Sequence, residues 1–532
     1  MAKFVNSSDS MSSSLLLWND TPTQVSIQET YDLKVWPVTN LFNDGPINFN
    51  IPPQPKGLLT DLQIITKVKL LQNGQEITTR SKNVSVINNI ANSLWGEVSV
   101  VTGNRTELCQ SMRNAYAYQS FLNQALSSEK NREGYLLYNE GFLMDEGVSK
   151  TSAESLRTFW KWDDINKNIT LWDDVKSFPG FETLAEGIAS KIDNAFQFEY
   201  PWDPVFKEAY KVLMAQTMPK YEGLEGDELE IAFQNEMTQY ESWVPTQANP
   251  AASKRSNLFN RGRSVTLCSK FHCPLLNTTK CLPTNMNLRM SLTKNTDDFL
   301  LLCNADAGYS LTIEDCYLNV TYYRVRDEIL ELIEERLRKD PIPYFISRPE
   351  IIVRPVTQAS RIVRINDIFA NSILPPYAFF MLQRSRDFEG HMLSNPFIMV
   401  PYKKFQLYRD GVPIFADPLE VGTIRKIGDR DYQFKDFGEY LRQLYHTLGK
   451  DSQGSCLINE NNFHLNFMTA ISFGADRSSI NDRHLNLQEK ASTSIEIDLG
   501  TETFPEDLIL IVYAVFDRQI QIDSNRIVRI IE

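Results

Sequence analysis

Apolar and polar residues alternate over much of the chain, which is the pattern of β-strands that bury one face. The segment 57–77 shows this pattern up to Asn73-Gly74, a dipeptide typical of tight hairpin turns. The predicted inner face of that strand carries Leu62, Ile64, Thr66, Val68 and Leu70. A second hairpin is predicted at Arg409-Asp410-Gly411, where the strand from Phe405 turns into Val412–Phe415.

Strands are predicted on the same grounds along the rest of the chain. They cover 26–38, 97–101, 264–276, 286–292, 309–323, 344–356, 359–365, 377–385, 462–473, 492–500 and 508–516. Many regularly spaced strands with few helices favour β-sandwiches or jelly rolls. No sequence repeat relates the two parts of the chain, so two equivalent β-rich halves are an inference about architecture alone.

Three segments depart from the strand pattern and predict helices, at Ser111–Gln124, Val325–Lys339 and Phe434–Leu448. In the second of them, apolar residues recur at helical spacing. These residues are Ile329, Leu332, Ile333 and Leu337. Acidic residues open the segment, basic residues close it in agreement with the helix dipole, and Asp340-Pro341 ends it. We interpret it as a packed helix that links the two β-rich halves.

The last 25 residues combine a continuous apolar run with an alternating one. Leu508–Phe516 predicts a core strand covered on both faces, with its exit at Asp517-Arg518. Beyond it, isoleucines alternate with polar residues, as in a one-sided edge strand. An exposed edge of this kind predicts an interface with another subunit, formed by Ile520, Ile522, Ile527 and Ile530. Deletion of 527–532 should then leave the fold and weaken assembly.

Charge is distributed unevenly along the 532 residues. The net charge is −13, and residues 151–250 hold 18 acidic against 8 basic residues together with five of the eight tryptophans. This composition predicts an ordered, partly helical insertion with a small core of its own, with helices at Lys207–Gln216 and Asp227–Glu236. So acidic a protein is a poor candidate for wrapping nucleic acid, and no sequence-specific nucleic-acid binding is expected.

The sequence predicts neither a targeting segment nor a disulfide framework. The Ser-rich start of the chain lacks a sustained apolar core, so no signal peptide is expected, and no window is apolar enough for a spanning helix. The seven cysteines are sparse and odd in number, which is typical of reduced thiols.

Candidate chemistry is limited to three clusters of residues. Cys268, His272, Cys273 and Cys281 lie close together in sequence but lack the paired C-x₂-C spacing of zinc sites, which favours ordinary buried thiols. Asp163-Asp164 and Asp173-Asp174 each follow a tryptophan, which would suit a glycosidase, although neighbouring carboxylates more often cap helices or face solvent. No catalytic residue, metal ligand or cofactor is predicted.

A basic segment, Ser253–Arg263, leaves three interpretations open. It could contact nucleic acid, lie in a solvated loop, or meet the acidic insertion of a neighbouring subunit.

Five stretches, taken in order, resemble the double jelly-roll major capsid proteins of Polinton/Maverick elements and adintoviruses. They are GPINFNIPP (Gly45–Pro53), VSVINNIANSLWGEVSVVTGN (Val84–Asn104), AYAYQSFLNQALS with GYLLYNEGFLMD (Ala115–Asp145), SNPFIMVPYKKFQLYRDGVPI (Ser394–Ile414) and LILIVYAVFDRQIQIDSNRIV (Leu508–Val528). Each stretch is only moderately specific, and their collinearity over most of the chain carries the resemblance.

The resemblance implies an all-β fold of two tandem jelly rolls with a linker helix. The implied parts are a flexible arm (1–22), a first roll (23–324) with the insertion at about 146–260, the linker helix (325–339) and a second roll (340–532). Three chains would form a pseudo-hexagonal trimer that tiles an icosahedral shell, with the insertion at its outer surface.

The resemblance also implies partners and a location. The chain would belong to the virion capsid, assemble inside the host cell, and meet a single-jelly-roll penton and minor or cement proteins. Two other classes remain open from the residues alone. One is a carbohydrate-binding or glycosidase-like tandem β-sandwich, and the other is a minor, vertex-type capsid protein.

Overall fold

The computed structural model of the chain describes most residues outside the arm and the insertion. The described residues are 24–39, 41, 45–77, 84–111, 113–145, 250–259, 262–303, 308–356, 361–369, 373–392, 395–424, 434–450, 455–460, 462–474, 489–500 and 507–531. The predicted arm, most of the insertion and its two predicted helices lie outside these ranges, so their limits stay predictions. None of the helices in the described ranges is long and apolar enough to cross a membrane.

Eleven strands precede residue 326 in the described chain. They are β1 (Ile27–Val35), β2 (Ile47–Ile51), β3 (Gly57–Gln72), β4 (Gln75–Glu76), β5 (Val84–Val86), β6 (Trp95–Thr102), β7 (Glu107–Gln110), β8 (Val265–Lys270), β9 (Leu288–Lys294), β10 (Leu301–Cys303) and β11 (Tyr309–Val325).

Twelve described strands follow residue 340. They are β12 (Ile342–Val356), β13 (Ile362–Asn366), β14 (Tyr377–Arg384), β15 (Lys404–Arg409), β16 (Val412–Pro413), β17 (Leu419–Glu420), β18 (Gly422–Ile424), β19 (Phe434–Asp436), β20 (Thr469–Ser472), β21 (Thr493–Asp498), β22 (Leu508–Ile522) and β23 (Val528–Ile531).

Eight α-helices and a short 3₁₀ turn (Lys130–Arg132) lie between these strands in the described chain. The helices are α1 (Ile90–Ser93), α2 (Ala115–Ser127), α3 (Glu133–Glu140), α4 (Pro250–Leu258), α5 (Asp297–Leu300), α6 (Asp327–Lys339), α7 (Ser385–Glu389) and α8 (Gly438–Thr447).

The two sets of strands have the same topology. In the first set, one sheet has the order β1-β11-β3 with β8 on the far side of β3, and the facing sheet has the order β2-β9-β6-β7. In the second set, the orders are β12-β22-β14-β20 and β13-β21-β15-β16. Eight strands of each set form these two sheets, when the short additional strands are left out. Numbered one to eight in chain order, the eight strands of either set have the sheet orders 1-8-3-6 and 2-7-4-5, which is the strand order of an eight-stranded jelly roll. The predicted fold class, two tandem jelly rolls, is therefore confirmed.

Both predicted hairpins adopt the turn that their residues favour. Asn73 and Gly74 have φ of 50° and 73°, and Asp410 and Gly411 have φ of 50° and 79°. Two successive positive φ values are typical of a type I′ turn, whose twist matches that of the flanking strands. The predicted inner face of β3 is also confirmed, because all five of its residues are at most 3% exposed.

Strand β22 is buried on both faces along its first nine residues, Leu508–Phe516, as predicted. It pairs with β12 on one side and β14 on the other. The predicted exit at Asp517-Arg518 is wrong, because β12 continues to offer partners as far as the pair Ile342 and Ile522. The chain then reverses, and β23 pairs back onto the end of β22.

The linker helix is shorter and less buried than predicted. It begins at Asp327, because Val325 still pairs with Ile27 as the last residue of β11. Of its residues, only Leu337 is fully buried, and Leu332 is 65% exposed. The other predicted helices also shift, to Ala115–Ser127 and Gly438–Thr447, and Phe434–Asp436 forms a strand.

Substitution of Gly390 tests how tightly the two rolls pack against each other, and substitution of Gly134 is its control. Gly390, at φ +108° in the second roll, would place a Cβ 3.0 Å from the Phe299 backbone in the first roll. Gly390→Ala should lower the free energy of unfolding by about 1–3 kcal/mol, because it combines backbone strain with a clash. Gly134, inside α3, has open space where an added Cβ would lie, so Gly134→Ala should raise stability by about 0.5–1 kcal/mol. Chemical unfolding measures both, and equal effects would contradict this packing.

Candidate functional site: the seam and the C-terminal edge

Helix α2 of the first roll lies against the outer face of the second roll. The Tyr118 hydroxyl is 2.8 Å from Gln383 Oε1 and 2.7 Å from the Pro396 carbonyl oxygen, so its single proton is shared between these two acceptors. Gln383 is the register partner of Ile509 in β22, so this contact identifies which face of the sheet meets the first roll. Burial strongly raises the pKa of Tyr118, which therefore remains a neutral donor.

Aromatic rings fill the contact between the two rolls around Tyr118, which we call the seam. Phe121 stacks on Phe397 of the second roll with ring centroids 4.3 Å apart, and Tyr118 stacks on Phe388 at 5.2 Å. The buried residues of both rolls consequently form a single hydrophobic cluster. Each such aromatic pair adds roughly 0.5–1.5 kcal/mol beyond its burial, so the rings stabilise the contact between the two rolls.

A buried ion pair lies at the base of the insertion. Arg255 in α4 is fully buried, and its Nη2 lies 2.7 Å from Asp145 Oδ1. Asn395 of the second roll donates to the other carboxylate oxygen at 2.6 Å. Arg255 also donates to the Leu143 and Val86 carbonyl oxygens at 2.8 and 3.3 Å. The pair therefore joins both ends of 146–249 to each other and to the seam.

This geometry changes the interpretation of the basic segment Ser253–Arg263. Arg255 is a structural residue with all its donors directed into the protein, whereas Lys254 is exposed. Nothing in the sequence distinguishes the two, because the partner Asp145 lies 110 positions away. The interpretations of the rest of the segment stay open.

The C-terminal hairpin is fastened to the first roll through Arg526. Its Nε donates to the Thr284 carbonyl oxygen at 2.7 Å, and its Nη2 lies 2.6 Å from Glu334 Oε1 in α6. Although burial raises the pKa of Glu334, hydrogen bonds from Arg526 and Thr284 outweigh it and hold that pKa below its usual value. The Thr106 hydroxyl adds a 3.0 Å bond to the Val528 carbonyl oxygen. The hairpin thus contacts three other parts of the chain, which are the loop at Thr284, helix α6 and the turn at Thr106.

The four residues of the predicted interface occupy different environments. Ile520 and Ile522 are 2% and 0% exposed inside their own chain, Ile527 is half-buried, and Ile530 is 39% exposed. Of these four, Ile530 presents the most apolar surface to a second chain. Contact with a second chain stays a prediction for all of them.

On the opposite face of the sheet from Ile530, register brings further apolar side chains to the surface. Phe345, Gln519 and Ile531 form one row across β12, β22 and β23, and Phe345 and Ile531 are 50% and 38% exposed. A separate exposed set, Trp36 and Val38, lies beyond the end of β1 on the first roll, where Trp36 packs on Tyr317 at 5.0 Å. Sequence analysis missed both sets because a strand pattern does not show which edge lacks a neighbour.

Buried polar chemistry concentrates in the first roll, behind α2 and α3. Burial raises the pKa of Glu140 to about 7, although its carboxylate accepts hydrogen bonds from Gln124 at 2.8 Å and Asn92 at 3.3 Å. Burial also lowers the pKa of His272 to about 4, with a smaller contribution from the charge of Lys270. Both groups line a cavity of about 390 Å³.

The residues weighed as a zinc site are only partly brought together. Cys268 and His272 line the same cavity, Cys273 is buried beside Cys109, and the Cys281 carbonyl contacts Tyr344. Across the described ranges, no group of three or more His, Cys, Asp or Glu residues could hold a metal ion. All seven cysteines are free thiols. The carboxylate pairs Asp163-Asp164 and Asp173-Asp174 lie outside the described residues.

No protein-family model and no curated protein matches the sequence. The chain is similar to a chain in the cryo-EM structure of the Sputnik virophage, with 10% identity, 100% of this chain and 94% of that chain covered, and a TM-score of 0.54. It is also similar to the PBCV-1 virus capsid (9% identity, 97% and 99% covered, TM-score 0.49) and the mavirus major capsid protein (9%, 100% and 96%, 0.46). The virophage similarity shows a shared fold over the whole chain. With the strand order of both halves, it makes this a double jelly-roll protein, as the resemblance implied.

The ion pair at the base of the insertion should be essential for stability. Arg255→Met should lower the free energy of unfolding by about 3–5 kcal/mol, because it breaks a buried ion pair by removing one of the two charges. Adding Asp145→Asn should restore part of that loss. The matched control, Lys254→Met, changes an exposed neighbour and should stay within about 0.5 kcal/mol. Chemical unfolding of the four proteins measures this, and equal losses for the two single variants would contradict it.

The buried carboxyl of Glu140 should make stability depend on pH. Its pKa is raised on folding from 4.5 to about 7, so its stabilising contribution is complete below pH 4.5 and is lost as the pH rises through 7. Glu140→Gln keeps an acceptor for Gln124 and removes this titration. The variant should exceed the wild type by roughly 2–3 kcal/mol at pH 8 and by less than about 1 kcal/mol at pH 5. Unfolding curves at both pH values would refute this if the difference did not change.

Proposed function

We propose that the chain is the major capsid protein of a double-stranded DNA virus or virus-like element, of the Polinton/Maverick and adintovirus kind. It forms pseudo-hexagonal homotrimers that tile an icosahedral shell. The observation that carries the proposal is the pair of jelly rolls with identical strand order, held side by side by one shared core. Three such chains around a three-fold axis present six similar rolls, which gives a nearly hexagonal outline.

Rigidity of the pair supports the same role. A shell tile must keep a constant shape in many copies, because small errors in angle accumulate over a closed lattice. The seam meets this demand through stacked rings and through directional hydrogen bonds at Tyr118 and Asp145. The function proposed is therefore shape and self-association, without a catalytic residue or cofactor.

The exposed apolar sets supply surfaces for a ring of subunits. One set lies on the second roll, with Ile531 and Phe345 on one face of its C-terminal edge and Ile530 on the opposite face, and the other set (Trp36 and Val38) lies on the first roll. In a head-to-tail ring, each copy offers two different surfaces, so two unlike sets on opposite rolls suit a closed trimer. We propose that the C-terminal edge, including Ile530, is one of these surfaces.

The remaining parts of the proposal follow from the capsid role. The protein would reside in the virion, assemble inside the host cell, and contact a single-roll penton and minor or cement proteins. A vertex protein with one roll does not fit a chain of two. The sugar-binding alternative depends on carboxylates outside the described residues, and no described feature favours it.

Solution assembly tests the proposal directly. The purified chain should elute as a trimer of about 184 kDa, three times its mass of 61.2 kDa, and negative-stain images should show pseudo-hexagonal particles. A stable monomer that binds glycans would overturn the capsid function.

Substitution at the C-terminal edge tests the proposed surface. Ile530→Lys with Ile531→Lys should shift the trimer to monomer, because charge on an edge strand opposes pairing and apolar contact. The matched control Val412→Lys changes a 65% exposed residue in a hairpin and should leave the trimer intact. These substitutions are cleaner than deleting 527–532, which would also remove the buried Val528. Light scattering gives the mass, and an unchanged trimer in the double variant would exclude this edge.

A further inference from the structure

The cavity behind α2 and α3 is a built polar site that the capsid role does not use. It encloses about 390 Å³, and its lining includes Asn123, Arg132, Glu140, Lys270 and His272. A volume of this size is within the range of small-molecule sites. The side chains come from four separate stretches of the first roll, so the fold brings them together.

The ring of His272 is fixed in position and carries an unused donor. Its backbone N–H donates to the Tyr116 hydroxyl at 3.2 Å, and its carbonyl oxygen accepts from Gln119 at 3.4 Å. Its Nδ1 lies 2.9 Å from the Asn123 amide nitrogen, which can only donate, so the proton of the neutral ring is on Nε2. The residue is 6% exposed, and Nε2 has no hydrogen-bond partner among the described residues. A buried donor without a partner costs about 1–3 kcal/mol, which a ligand oxygen would recover.

Two cationic side chains line the same cavity. Arg132 comes from the 3₁₀ turn, where its guanidinium lies 5.8 Å from the centroid of the Tyr135 ring, and Lys270 comes from the end of β8. Both are exposed, so they remain free to reach an incoming anion. They present positively charged donors to an acceptor-rich, negatively charged group, and the buried His272 N–H lies in the same lining.

Glu140 is the one acidic residue among the described residues of the lining, and its surroundings limit its opposition to an anion. Its carboxyl oxygen is already engaged by Gln124 and Asn92. With a pKa of about 7, it is largely neutral in mildly acidic solution. The two cations outweigh its single charge even when it is ionised, and by the larger margin below neutral pH.

We propose that this cavity binds a phosphate-class oxyanion, with Arg132 and Lys270 neutralising its charge and His272 Nε2 donating to one of its oxygens. The two cationic side chains and the unpartnered His272 donor favour this ligand class over a cation or an apolar molecule. The proposal is independent of the capsid function, since none of these residues lies at the C-terminal edge.

Calorimetric titration of the full-length protein tests the site. Inorganic phosphate and adenosine monophosphate are the two titrants, and they distinguish the free ion from a phosphate ester. Chloride at matched ionic strength is the control. At least one titrant should bind with a Kd below about 1 mM. Binding of neither would overturn the proposal.

Variants separate a defined site from general attraction. Lys270→Met and Arg132→Met should each weaken binding at least about tenfold, whereas Lys254→Met, an exposed lysine elsewhere, should not change it. At pH 8, Glu140→Gln should strengthen binding severalfold, because a negative charge is removed from the cavity. Equal weakening by Lys254→Met and Lys270→Met, or no gain from Glu140→Gln, would show an adventitious ion only. Gel filtration of each variant confirms that the assembly is retained, so failure here is distinct from failure of the capsid proposal.

Discussion

The two-sided burial of strands β22, β14 and β20 in the second roll is the constraint on which the rest of the molecule depends. One face closes the core of the second roll, and the other face meets the first roll through Tyr118 and Phe121. Apolar residues on both faces of Leu508–Phe516 would be insoluble in an isolated roll, since a sheet exposed on one side needs polar residues there. The second roll is therefore stable in this form only beside the first.

Polar contacts define how the two rolls are oriented. Apolar burial is non-directional and would tolerate sliding, but the bonds from Tyr118 to Pro396 and from Asn395 to Asp145 permit only one relative position. Arg526 performs the same task at the other end, where it joins the C-terminal hairpin to α6 and to the Thr284 loop. An apolar seam with polar fixed points gives a pair of rolls with a constant shape.

Local patterns were sufficient to predict the strands, hairpins and fold class, and insufficient for the site. Alternation at Leu62–Leu70 and the Asp410-Gly411 turn depend on near neighbours in sequence, so they can be read directly. Arg255 and Asp145, 110 positions apart, depend on a fold that brings them together. The end of β22 was misplaced for the same reason, because the partner that extends it to Ile522 lies in a distant strand. Ile520 and Ile522 alternate like edge residues, but the row from Tyr344 and the returning β23 cover them.

The closure at Asp145 and Arg255 has a consequence for how such a chain can vary. Since both ends of 146–249 leave the rolls at one buried point, the length between them enters folding only through loop-closure entropy, which costs about 0.6 kcal/mol for each doubling. The folding of the two rolls thus depends little on the length of the segment between these two residues. Segments of other lengths and chemistries can be exchanged there while the two rolls and their seam stay the same, so this part of the sequence can change faster than the architecture of the rolls.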